Sequence, residues 1–86
     1  MVVLKRVDPD ANMNRTYMVT VQPTLLDAVA VVYAWGSRES SQLQVRVLPM
    51  ATQADAEALA EKMVKRKCKR GYVVVEDGDA DVKELS

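Results

Sequence analysis

Chemistry in this chain has two places to reside, a cation-rich stretch and a lone tryptophan. Lys62, Lys65, Arg66, Lys67, Lys69 and Arg70 put six positive charges within nine residues. At ~100° per residue, Lys62, Lys65, Arg66 and Lys69 fall on one arc of a helix. Cations on one exposed arc can neutralise several phosphates and give salt-dependent, sequence-independent nucleic-acid binding. The same stripe also reads as ordinary helix electrostatics. Asp55, Glu57 and Glu61 come early and the cations late, which suits the macrodipole, and Glu61 can pair with Lys65 at i,i+4. Trp35, the sole tryptophan, offers an indole face on which a sugar or base can stack. Its alternative is to pack with Val31 and Tyr33 on one strand face.

Other reactive types are few. The chain has no histidine, so an ordinary zinc site and the usual general base for a serine or cysteine nucleophile are both missing. A single cysteine makes no internal disulfide. Cys68 stands among cations that favour its thiolate, but its place at the edge of an apolar helix arc predicts a half-buried structural residue. Asp77, Asp79 and Asp81 alternate as in a calcium loop, yet Glu84 comes too early for the bidentate ligand, so no metal is expected. No glycine-rich phosphate loop, cofactor motif or paired carboxylates in an ordered segment appear. A catalytic residue, a cofactor and a small-molecule substrate are therefore not expected. Lys5 and Arg6 interrupt the apolar start at once, and no run of ~20 apolar residues occurs. We expect no membrane partner and a cytoplasmic location.

The elements that must position these residues follow from periodicity. With 86 residues, 49% of them apolar, one domain with one core is expected. Val2 to Val7 reads as a strand closed by Asp8-Pro9-Asp10. Arg15 to Gln22 alternates, with Arg15, Tyr17, Val19 and Val21 on one face, and Pro23 ends it. Val29 to Trp35 is apolar on both faces. That pattern predicts a central strand covered on each side, with the small Ala30 and Ala34 beneath a helix. Gln42 to Leu48 is a fourth strand. Thr52 with Asp55 resembles a capping box, and Gly71 supplies a helix stop. Between them Ala56, Leu59, Ala60 and Met63 should face the sheet. Tyr72 to Val75 is a last strand, at an edge or closing the sheet. The expected fold is α+β, a mostly antiparallel curved sheet of about five strands packed by a single α-helix, in the order β-β-β-β-α-β.

Several landmarks in this order carry a resemblance. Asn12-x-x-Arg15-x-Tyr17, then Val21-Gln22-Pro23-x-Leu25, then Trp35-Gly36, and finally Lys69-Arg70-Gly71-Tyr72 resemble the WGR domain in its short, stand-alone bacterial form. The likeness spans about residues 4–75. It implies the same sheet-and-helix fold. It also implies an activity: in poly(ADP-ribose) polymerases these domains hold DNA ends, the tryptophan packing on backbone sugar and the motif arginine lying near phosphate. Where the family has Trp-Gly-Arg, however, this chain has Trp35-Gly36-Ser37, with Arg38 one position on. A one-residue slip at a strand end turns a side chain to the other face, and Glu39 would repel a phosphate.

The formal net charge of zero conceals an asymmetry. Glu76, Asp77, Asp79, Asp81 and Glu84 against Lys83 give residues 76–86 a charge of −4, which leaves residues 1–75 at +4. Residues 1–75 are expected to form the domain and 76–86 a frayed acidic tail that screens the basic stripe. Three readings compete. Placed first is a non-catalytic module binding DNA or RNA backbone through Trp35, Arg38, Lys62, Lys65, Arg66 and Lys69. Second is a protein–protein interaction module on the same fold, and an enzyme comes last.

Overall fold

The computed structural model describes residues 1–11, 13–37 and 42–78. Its strands are β1 (Val2–Asp8), β2 (Met13–Gln22), β3 (Ala30–Ser37), β4 (Gln44–Pro49) and β5 (Val73–Asp77), with the helix α1 (Gln53–Lys69) before the last. They form one five-stranded sheet in the order β4-β3-β2-β1-β5, antiparallel at every pairing. The element order and α+β class are those expected. β5 runs two residues further than the sequence suggests. Glu76 pairs with Val3 and Asp77 with Val2, so the first two residues assigned to the tail are strand. The expectation of fraying for the rest of the tail concerns residues 79–86, outside the described residues.

Turn chemistry sets the connections. Asp8 Oδ1 accepts from the Ala11 N–H at 3.3 Å, an Asx-type contact that closes the first hairpin. Between β2 and β3, Thr24 Oγ1 donates to Asp27 Oδ2 at 2.9 Å and accepts from the Asp27 and Leu26 N–H groups. This small box holds Leu25 and Leu26 fully exposed at its tip.

The helix starts at Thr52, an extended N-cap residue whose hydroxyl accepts from the Asp55 N–H at 3.0 Å. It stops where Gly71 turns to a φ of +97°, a region glycine enters without a Cβ clash. There the Gly71 N–H donates to the Cys68 carbonyl and the Tyr72 N–H to that of Lys67. Thr52→Ala removes one cap and should lower stability by about 1 kcal/mol in urea unfolding. A loss of nothing measurable would mean that tertiary packing alone fixes the helix start.

One sheet face receives the helix. Leu4, Tyr17, Val19, Val29, Val31 and Ala56 form the buried cluster, with Leu59, Ala60, Met63 and Val64 packed against it. The helix-facing set expected from the sequence is therefore correct, and Val64 extends it. Two expectations fail. The helix lies on the Val29, Val31, Tyr33 and Trp35 side of β3, so Ala30, Val32 and Ala34 face away from it. Ala30 and Ala34 are buried all the same, because each sits between larger cross-strand neighbours: Gln22 and Pro49 for the first, Met18 and Val45 for the second. Cys68 is exposed, not half-buried; the sheet-facing arc continues from Met63 to Lys67, and the next residue is turned ~100° away.

Candidate nucleic-acid interface

Every aromatic residue of the chain gathers on the helix-facing side of the sheet. Alternation places Tyr17 on that side of β2 and Tyr33 and Trp35 on that side of β3, where Tyr17 and Trp35 are direct cross-strand partners. Tyr72 arrives from the turn after α1. The rings run in series: Tyr72 meets Tyr17 edge-on at 6.3 Å, Tyr17 meets Tyr33 at 6.2 Å, and Tyr33 stacks on Trp35 at 5.7 Å. Contacts of this kind each add about 0.5–1.5 kcal/mol beyond burial. Tyr17 is buried, whereas Tyr33, Trp35 and Tyr72 are half-buried. Trp35 thus meets both of its readings, since it packs on Tyr33 and still borders open space.

Cations rest on this aromatic row. Lys67 Nζ lies 4.6 Å from the Tyr17 ring centre and 5.4 Å from that of Tyr72. Arg46 Cζ, from β4, lies 5.5 Å from the Trp35 ring. Such contacts are attractive because the ring face is negative. Burial holds the Lys67 amine below its ordinary range, and Arg70, Arg15 and Arg66 push it further the same way. Among the described residues, none of Lys67, Arg15, Arg66 and Arg70 has a carboxylate at ion-pair distance. Tyr17 is pushed up to about 12, first by burial and next by Tyr33, with Arg66 opposing. Its phenol therefore stays neutral beneath the lysine.

Two cavities flank Lys67 and Trp35, and both residues line both. One, of about 410 Å³, is walled by Tyr17, Tyr33, Leu48, Leu59 and Met63, with Arg66. The other, of about 420 Å³, is polar and lies at the sheet end among Arg15, Ser37, Gln44 and Tyr72. Arg15 and Ser37 are register partners on the same face. An arginine therefore stands directly beside the position where Trp-Gly-Arg would carry one.

The residues singled out from the sequence separate here. Trp35 and Arg66 line the apolar cavity together. Lys62, Lys65 and Lys69 are exposed and line neither cavity, and Lys65 pairs with Glu61 at 3.0 Å, the i,i+4 contact weighed above. Arg38 lies outside the described residues. What sequence reasoning missed is the centre, Lys67, along with Arg46 and Tyr72. Lys67 follows Met63 by four, so helical spacing alone puts it over the apolar arc. Its partners Tyr17 and Tyr72 are 55 residues apart in the sequence, and nothing local connects them.

Among the described residues no group of three or more His, Cys, Asp and Glu side chains is placed to hold a metal ion. No helix there is long and apolar enough to cross a membrane.

Comparison with known proteins places the chain clearly. The WGR domain family matches residues 1–79. The uncharacterized protein y4dW of Sinorhizobium fredii is 32% identical over 69 residues, covering 80% of this chain and 33% of that protein. The chain therefore spans about one third of that relative's length. No solved structure matches it.

Proposed function

The chain belongs to the WGR domain family, and we propose that it is a non-catalytic module that binds the DNA backbone at the Trp35 end of the sheet. One observation carries this reading: Arg66 and Lys67 line the aromatic cavity and Arg15 and Lys67 the adjoining one, with no carboxylate at ion-pair distance from them among the described residues. Assembling like charges costs free energy, and an anion offsets that cost. A row of phosphates supplies anions at regular spacing, and a sugar fits an indole face. Arg15 provides at this spot the positive charge that Ser37 does not. In this reading the principal contacts are Trp35, Arg66, Lys67 and Arg15, with Lys62, Lys65 and Lys69 adding long-range attraction, and Arg38 adding its charge.

Titrating a blunt-ended duplex at two salt concentrations tests it. Four neutralised phosphates give a slope of log affinity on log salt of about −3.6. Absence of binding at low salt, or a slope shallower than −1, would overturn the reading.

A second reading has its own observations. Leu25 and Leu26 are fully exposed at one end of the sheet, and Val45, Val47 and Val73 are exposed on the face away from the helix. A protein partner covering those apolar groups is the alternative. It predicts that the chain leaves the duplex unbound in the same titration.

A further inference from the structure

The apolar depth of the cavity beside Trp35, beyond the indole and the cations at its mouth, has no use in gripping a duplex backbone. Its walls are the Tyr17, Tyr33 and Trp35 rings on the sheet, Leu48 on the edge strand, and Leu59 and Met63 on the helix. It exists because α1 packs chiefly over β2 and β3, leaving the helix side of β4 open with Arg46 and Leu48 exposed. At about 410 Å³ it falls within the ~300–1,000 Å³ of small-ligand sites. Arg66 and Lys67 line it as well, and Arg46 lies over the indole. A flat ring entering it would meet aromatic walls, while an attached anion would meet cations. The polar cavity shares Trp35 and Lys67 with it. One nucleotide can therefore lie across both, its phosphate near Arg15 and Lys67 and its base in the apolar slot.

We propose that this slot takes the base of an unpaired DNA nucleotide, so that the module prefers a duplex with a single-stranded overhang to a blunt one. The proposal rests on the backbone reading and adds a base to it. A paired base cannot enter without losing its partner: inside a duplex both of its faces are stacked, and at a blunt end it is still hydrogen-bonded across the helix and stacked on one face. An unpaired base offers a free π-face, which every base possesses, so the preference is independent of sequence.

The chain carries its own reporter, since Trp35 is its sole tryptophan and a wall of the slot. Blunt and overhang duplexes of equal paired length are titrated against the full chain, following Trp35 emission and the fluorescence of a 2-aminopurine placed in the overhang. The overhang duplex should bind about tenfold tighter, at the low end of what stacking one base contributes, and both fluorophores should be quenched. Leu48→Phe fills the slot from the exposed edge strand and Met63→Phe from the helix. Either variant should abolish the preference and leave blunt-duplex affinity unchanged. Equal affinity for the two duplexes with unquenched 2-aminopurine overturns the slot and leaves the backbone reading intact. Equal quenching of Trp35 by a free nucleoside monophosphate at matched concentration also overturns it, by assigning the slot to a small ligand. Binding of neither duplex ends both proposals.

Discussion

Lys67→Glu should weaken binding to a blunt duplex at low salt about 100-fold, or about 2.7 kcal/mol, whereas Lys65→Glu should weaken it no more than about threefold. Both substitutions change the charge by the same amount, so the difference depends on position. Lys65 is largely exposed and already paired with Glu61, and exposed pairs are worth only about 0–1 kcal/mol. Lys67 is half-buried over two tyrosine rings with three arginines acting on it. There a phosphate is attracted through a lower dielectric, and a carboxylate would satisfy the arginines internally, so that the site supplies its own anion. Fluorescence anisotropy on the two variants and the parent chain decides the matter. Equal losses would move the binding surface back to the solvated stripe.

The same residue should cost stability. The Lys67 pKa is lowered in the fold, so the fold disfavours its charged form. Between that lowered value and the ordinary 10.5, the unfolded chain holds a proton that the folded chain has released, and stability rises with pH across this window. Below it the full penalty applies. A cation retained at a stability cost fits a role in holding an anion, the trade common at binding sites.

The order of elements was legible because each rests on local chemistry. Alternation marked β2 and β4, the Thr52 cap and Gly71 stop bounded the helix, and Asp8-Pro9-Asp10 closed β1 at the first turn. The family, too, was legible in ordered landmarks from Asn12 to Tyr72. β3 misled for a physical reason. Two apolar faces were taken to mean two covering layers, yet alanine is small enough to be buried by its cross-strand neighbours alone. The site was legible in part. Trp35 and Arg66 are visible as an aromatic and a cation, but their meeting depends on where the helix crosses the sheet. Lys67 lay outside the stripe on the helical wheel because it leans toward the sheet. Cys68, its neighbour, could be assigned to the apolar arc only while the path of that arc over β2 was unknown.

Leu4→Ala should lower folding stability by about 3 kcal/mol, within the ~2–5 kcal/mol typical of such truncations. Leu4 is completely buried in β1, paired with Tyr17 on one side and Val74 on the other. It belongs to the same cluster as Ala56. A strand hydrogen-bonded on both edges cannot slide inward to fill the void, and Ala56 has no side chain long enough to reach it. The cost therefore falls toward full transfer plus cavity. For a domain of this size that is a large share of the ~5–15 kcal/mol available. Val73→Ala is the control: Val73 is 63% exposed on the edge strand, so its truncation should change stability by no more than about 0.5 kcal/mol. Urea unfolding with an unchanged m-value gives both numbers. A loss below 1 kcal/mol for Leu4→Ala would mean that the sheet and helix can close over the gap. The ring of Tyr17, which carries Lys67, would then rest on a deformable floor. A loss near 3 kcal/mol means the floor is rigid, and the Lys67 amine is held in place before any phosphate arrives. In that case Leu4→Ala should also weaken duplex binding severalfold under conditions where it remains folded, although Leu4 touches none of the ligand.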